Sequence, residues 1–289
     1  MKKHFFLLMA LIILFITPQR TSPMCSQADE PNLSKILNKT AKYCERVKSI
    51  ALFYVCQEEI KDKTNFYRVA STMRTTPYGL VEEVPSKVLK LRRTRNYSYL
   101  YDYQLIKKGE DLSEQRILLE KNGRKKRKEN AELEVKFSSA YIIYGPVGFL
   151  SRYWQDYFDY EITGQERIDK KMATIIKATP KSNNEENKNF AKIWIYEEDG
   201  SILQIEWEPE SIIDYKGKKI ESMAGSLETS VVWNVTYGVE KNGVRFPSRQ
   251  HIQEFLVTEE DKRYIRNETI TVFNNYKFFI VEYEIKHCP

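Results

Sequence analysis

The 289-residue chain carries 46 lysines and arginines against 40 acidic residues, a formal charge of +6. Lys2, Lys3 and Arg20 fall in its leader, which leaves +3 on the remainder, too mild a surplus to mark a nucleic-acid-binding protein. Three histidines and eleven glycines likewise leave little for zinc sites, histidine-based catalysis or glycine-rich phosphate loops.

In chain order, a basic start (Lys2, Lys3, His4) precedes an unbroken apolar run from Phe5 to Ile16. A membrane-spanning helix needs roughly 20 apolar residues, so this shorter run reads as a cleavable secretory signal. Ser26 and Ala28 set the cleavage, giving a signal peptide over 1–28 and a single domain over 29–289, delivered to the periplasm. Cys25 follows Pro23 and Met24 rather than small residues, so a lipid anchor at Cys25 is the lesser reading.

Leu33, Ile36, Leu37, Thr40, Tyr43, Cys44 and Val47 recur at helical spacing behind Asn32 or Ser34 as a cap. Ser49 to Ile60 turns β-branched and aromatic and reads as a strand. Cys44 on that helix and Cys56 on that strand form a disulfide candidate in an oxidising compartment, with two buried free thiols as the alternative. Tyr97, Tyr99, Tyr101 and Tyr103 alternate along the next clear strand, which turns at Gly109 and returns over Glu114 to Lys121. Asn122-Gly123 is a tight turn, followed by the basic run Arg124 to Lys128.

Pro146 to Tyr157 is the one later helix, with Phe149, Leu150, Tyr153, Trp154 and Tyr157 on one apolar face. Lys181 to Lys188 is a polar loop. Phe190 to Trp207 is a hairpin, Ile193 to Tyr196 running in to a turn at Asp199-Gly200. Val231, Trp233, Val235, Tyr237 and Val239 form an alternating stripe before the turn Asn242-Gly243. Further strands run near Phe246 to Val257, over Tyr264 to Phe273 and over Tyr276 to Ile285, with Asn274-Asn275 between the last two. The pattern predicts a mainly β protein with a few helices, a large curved antiparallel sheet whose concave face a helix plugs or covers.

Catalytic signatures are missing from the sequence, and neither a metal nor a cofactor is expected. His251 and His287 stand apart. The pairs Glu58-Glu59, Glu82-Glu83 and Glu197-Glu198 point to opposite faces of a strand and read as solvated charge. The tyrosine stripe is either a half-buried sheet face or an aromatic cavity wall, and the 146–157 helix either a core helix or a movable lid. Tyr99, Tyr101, Tyr103, Phe149, Trp154, Trp194 and Trp233 are the candidate cavity and lid residues. The basic run 124–128 and Arg92, Arg93 and Arg95 can meet anionic lipid head groups or protect a sheet edge.

The helix end Tyr43-Cys44-Glu45-Arg46, the strand Phe53-Tyr54-Val55-Cys56-Gln57-Glu58-Glu59, Tyr101-Asp102-Tyr103-Gln104-Leu105-Ile106, Ile193-Trp194-Ile195 with its hairpin, Arg245-Phe246-Pro247-Ser248 and Phe273-Asn274-Asn275-Tyr276-Lys277-Phe278-Phe279 follow one another in a recognisable order. In this the chain resembles the outer-membrane lipoprotein-sorting, LolA/LolB-like group. The resemblance implies an unclosed β-barrel with a helical lid over a hydrophobic cavity, and no enzyme activity. It further implies a periplasmic binding or carrier protein for lipid or lipoprotein acyl chains. The alternative is a cell-envelope sensor or interaction module that meets envelope proteins or an anionic membrane surface.

Overall fold

The computed structural model describes residues 32–108, 111–137, 142–181, 190–208, 220–222 and 225–279. The leader with Cys25, the turn at Gly109, most of the polar loop after Lys181, and the last ten residues with His287 and Cys288 lie outside the described residues.

Helix α1 (Leu33–Ile50) opens the described chain. The Asn32 side chain accepts from the Lys35 backbone N–H at 3.0 Å and so satisfies one free donor of the first turn. Ile36, Thr40, Tyr43, Cys44 and Val47 are buried along one stripe. The helix overruns the predicted strand start at Ser49, because the Ser49 hydroxyl bonds back to the Arg46 carbonyl and the Ala51 N–H to Val47.

Strands β1 (Tyr54–Thr75), β2 (Val81–Lys108), β3 (Asp111–Lys121) and β4 (Arg124–Lys128) form a first meander. A 3₁₀ turn (Ile142–Tyr144) and short helices α2 (Gly145–Leu150) and α3 (Arg152–Gln155) lead to β5 (Phe158–Ile168), β6 (Lys171–Pro180), β7 (Ala191–Tyr196) and β8 (Ile202–Trp207). Then come β9 (Ile220–Ser222), β10 (Gly225–Thr236), β11 (Val239–Lys241), β12 (Val244–Phe246), β13 (Arg249–Thr258) and β14 (Arg263–Phe278). The main sheet runs β4-β3-β2-β1-β14-β13-β10-β8-β7-β6-β5, with β9 beside β10 and β11–β12 as a separate hairpin. Every pairing is antiparallel, and the last strand zips the two meanders together by pairing with the first. Strands β4 and β5 are the outer strands of this order and do not pair, so the barrel is unclosed.

Several expectations are corrected. The helix foreseen over 146–157 is two pieces, because Ser151 takes an extended conformation between them. Phe149 and Leu150 are buried while Tyr153 is half exposed, so the five apolar residues do not share one face. The two closing strands are one strand through Asn274-Asn275. Asn274 pairs with Gln57, and Asn275 and Tyr276 form a bulge opposite Cys56, with Asn275 at φ 51°, a left-handed conformation that asparagine tolerates better than most residues. The stripe from Val231 breaks after Thr236, and Val239 belongs to the separate hairpin. The hairpin β5–β6 had no counterpart in the sequence reading; its turn, Asp169-Lys170, uses two positive φ angles without glycine. Asn122-Gly123 and Asn242-Gly243 form the expected hairpin turns with φ positive at both residues.

Curvature follows from the core. One buried cluster joins Tyr103 of β2, Phe158 of β5 and Tyr43 and Val47 of α1. In a flat sheet β2 and β5, eight strand spacings apart, would be separated by roughly 40 Å. α1 packs on β5 and on β12, and Phe246 of β12 meets Tyr54 of β1, which meets Tyr103 of β2, so this cluster closes only if the sheet curves around it.

Candidate binding site on the inner face of the sheet

Register defines the inner face. Across β2, β1, β14, β13 and β10 the chain aligns Tyr99, Ile60, Thr271, Gln250 and Val235 in one row. The next row holds Asp62, Thr269, Ile252 and Trp233, and the one after it Thr64, Asn267, Glu254 and Val231. Side chains alternate along each strand, so all of these point the same way.

The inner face divides into two chemistries. Toward β5–β8 it is apolar. Ile176, Ile193, Ile195, Ile205 and Phe158 are fully or nearly fully buried there beneath α1 and α2. Trp207 and Trp233 stack with ring centroids 4.3 Å apart and planes 16° from parallel, and Phe149 of α2 lies 6.2 Å from Trp207. Gly145 lets α2 come this close, since a Cβ there would sit 2.7 Å from the Tyr237 hydroxyl and 3.3 Å from the Trp207 ring. The cover is tied down at few polar points. Tyr237 donates to the Ile142 carbonyl at 2.9 Å, Tyr160 to the Phe149 carbonyl, and Gln155 to the Leu37 carbonyl at 2.7 Å. The hollow expected under the helices is therefore occupied by the chain's own side chains.

Toward β1, β13 and β14 the inner face is polar. Thr269 donates to Asp62 at 2.7 Å and Thr64 to Asn267 at 2.9 Å, while Asn267 donates to Glu254. Glu58 receives the Arg116 guanidinium at 2.7 Å, and Arg116 also meets Glu114 at 3.0 Å. Burial raises the Glu58 carboxyl against the pull of Arg116, and burial raises that of Asp62, with its Thr269 hydrogen bond and Lys136 opposing. Contrary to the expectation of solvated charge, the Glu58 side chain is only 4% exposed, because its strand phase turns it inward.

Residues 131–137 form a strap over this polar part. Ala131, Leu133 and Val135 pack on Ile60, Tyr99, Tyr101 and Leu118. The Ala131 N–H bonds the Arg116 carbonyl at 2.9 Å, and Lys136 reaches Glu254 on β13 at 2.6 Å. Nothing in the sequence flagged this segment, since short alternation in a charged stretch is a weak signal.

The predicted site residues scatter. Tyr99, Tyr101 and Tyr103 lie on the inner face, but the first two sit under the strap and Tyr103 in the apolar cluster. Phe149 and Trp154 belong to the cover, Trp154 packing with Tyr153 and Tyr157. Trp233 lies in the inner wall; Trp194 faces the other side, where its indole donates to Glu166 at 2.7 Å. Trp207, not singled out by the sequence, takes the place expected of Trp194. No bridge joins Cys44 and Cys56: both are free and buried, the Cys44 thiol directed at the Pro146 carbonyl at 3.5 Å. Burial pushes each thiol up to about 12. His251 is paired with Glu268 at 3.0 Å.

Two features complete the geometry. Trp233 Nε1 is buried without a hydrogen-bond partner among the described residues, and the Tyr101 hydroxyl is buried under the strap. A cavity of about 310 Å³ opens on the opposite face, where Val55, Cys56 and Ile117 line it together with Gln57, Asp102 and Asn275, a mixed apolar and polar wall. Among the described residues no helix is long and apolar enough to cross a membrane.

No protein-family model and no curated protein matches the sequence. Solved structures similar to the chain include a DUF1329 family protein from Desulfovibrio piger, at 10% identity over 85% of this chain and 92% of that one, with a TM-score of 0.34. A LolA superfamily protein from Nitrosomonas europaea aligns at 10% identity over 86% and 94%, TM-score 0.31. A putative outer membrane lipoprotein-sorting protein domain from Vibrio parahaemolyticus aligns at 9% identity over 86% and 93%, TM-score 0.33. The group that the sequence motifs resemble is thus named among these structures.

Proposed function

We propose that the mature chain is a non-catalytic binding protein of the periplasm that holds the acyl chain of a lipid or lipoprotein between the apolar inner wall and its α2–α3 cover. The observation that carries this reading is the place where the apolar wall ends. There the Trp207–Trp233 stack meets the polar rows, and a buried indole N–H has no acceptor among the described residues. An orphan donor at the border of oily and polar surface suits an amphiphile, whose ester or amide carbonyl would accept from it while its chain lies on the apolar side. Each buried methylene of that chain contributes about 0.8 kcal/mol, which offsets the apolar packing given up when the cover lifts.

Native mass spectrometry of protein purified from the periplasm tests the reading directly. Co-purifying lipid or acylated protein supports it. Empty protein that also fails to displace a fluorescent fatty acid sinks it. The other reading, an interaction module, draws on β4 and β5, the outer strands of the main sheet. Crosslinking in cells distinguishes it, through a stable protein partner in the absence of acyl cargo.

A further inference from the structure

Strands β1 and β2 outrun their neighbours. β1 pairs with β14 only as far as Thr64, and β2 with β3 only from Tyr99 onward. Among the described residues, 65–75 and 81–94 therefore pair only with each other and form a two-stranded ribbon, roughly 30 Å long at strand rise. Its root is fixed to the body. Tyr67, Val69 and Leu89 pack on Leu227, Leu256 and Tyr264, and Asn65 and Tyr67 both donate to the Ile265 carbonyl at 2.8 Å. Its tip is a hydrogen-bonded turn, with the Thr76 N–H on the Leu80 carbonyl at 2.7 Å and the Gly79 N–H on the Thr76 carbonyl at 3.0 Å.

Two kinds of side chain concentrate on this ribbon. Of the ten exposed large apolar side chains among the described residues, six lie here: Met73, Tyr78, Leu80, Val81, Val88 and Leu91. Tyr78 is 91% exposed and Leu80 69%. Surface apolar residues are ordinarily scattered, so a cluster on a projecting element marks a contact surface. The charge is just as uneven. Residues 65–95 hold seven lysines and arginines against two glutamates, +5 in a mature chain of +3, so the remainder is −2. The basic residues concentrate on the stem (Arg68, Lys90, Arg92, Arg93 and Arg95), behind an apolar tip carrying a tyrosine.

We infer that this ribbon docks on an anionic phospholipid surface, the tip residues Tyr78, Leu80 and Val81 entering the interface and the basic stem meeting the head groups. Tyrosine beside aliphatic side chains suits the head-group boundary. Each basic residue near an anionic surface strengthens binding by roughly fivefold. The inference does not rest on the acyl-chain reading, because an empty protein can bind vesicles and a loaded one can fail to.

Vesicle flotation of the mature protein tests it. Vesicles of phosphatidylglycerol with phosphatidylethanolamine should carry the protein, with binding that falls as salt rises, and vesicles of phosphatidylcholine alone should not. Tyr78→Ser with Leu80→Ser, and separately Arg92→Glu with Arg93→Glu, should each weaken binding about tenfold or more. Met172→Ser, an exposed apolar position on the body, should bind like the parent. All of these side chains are exposed, and matching thermal melts establish that the variants fold. Failure to float with anionic vesicles, equal binding to neutral ones, or undiminished binding by both ribbon variants each overturns the inference.

Discussion

Trp233→Phe and Trp194→Phe apply the same chemical change to the two faces of one sheet, and their contrast tests the assignment of the binding wall. In the empty protein, Trp233→Phe removes a buried N–H that has no partner among the described residues, relieving about 1–3 kcal/mol of desolvation. It also removes ring area from a stack with Trp207 at 4.3 Å, costing about 1–2 kcal/mol. The two offset, so stability should move by less than about 1 kcal/mol. Trp194→Phe breaks a 2.7 Å bond from the indole to Glu166, with no orphan donor to relieve, and should cost about 1–2 kcal/mol. Affinity should respond the other way round. Loss of a donor to the ligand carbonyl weakens binding by about 1–2 kcal/mol, roughly five- to thirtyfold, in Trp233→Phe. In Trp194→Phe binding stays unchanged. Urea unfolding reads the first quantity and displacement of a fluorescent fatty acid the second. A Trp233→Phe protein that loses more than about 2 kcal/mol of stability yet binds normally would refute the reasoning, as would a Trp194→Phe protein that loses binding.

Four further outcomes follow from the geometry. Gly200→Ala should destabilise by about 2 kcal/mol in urea unfolding, because φ there is +72° and a Cβ would lie 2.7 Å from the Lys39 backbone on α1; an unchanged midpoint would show that α1 is not seated on this hairpin. Tyr43→Phe should cost about 1–3 kcal/mol, since the Arg245 N–H donates to that hydroxyl at 3.2 Å in a buried setting and would be orphaned. Asp62 has its carboxyl raised by burial, so the folded state takes up this proton before the unfolded state does, and this group favours folding as pH falls from neutral toward about 4. Asp62→Asn should therefore be the more stable protein at pH 7, by a margin that narrows on acidification; a margin independent of pH would contradict the burial argument. Cys44 and Cys56 should resist iodoacetamide at neutral pH in the folded protein and react once it is unfolded, whereas their early loss would place them at the surface.

Much of the architecture was legible because local signals carried it. The capped, periodic stretch behind Asn32 is α1, the Asn-Gly pairs at 122 and 242 are hairpin turns, and the alternation at 99, 101 and 103 does point one row of rings inward. Asn274-Asn275 misled because the same tolerance for positive φ serves a bulge as well as a turn, and only the partner strand decides which. Trp194 misled through phase: one step along the strand turns a side chain to the other face. Ile193 and Ile195 took the inner positions on β7, and Trp207, from β8, became the wall residue.

By itself the amino-acid sequence determined the class of the molecule: an antiparallel, turn-punctuated sheet opened by one amphipathic helix, since hydrophobic period, caps and turn residues act over a few positions. Tertiary structure alone decided that the sheet wraps around α1, that its inner face is apolar on one side and polar on the other, and that a strap and two short helices cover it. These depend on which distant strands pair and in what register. β1 meets β14 across some two hundred residues, and no local pattern encodes the alignment that places Asp62 and Trp233 in the same row.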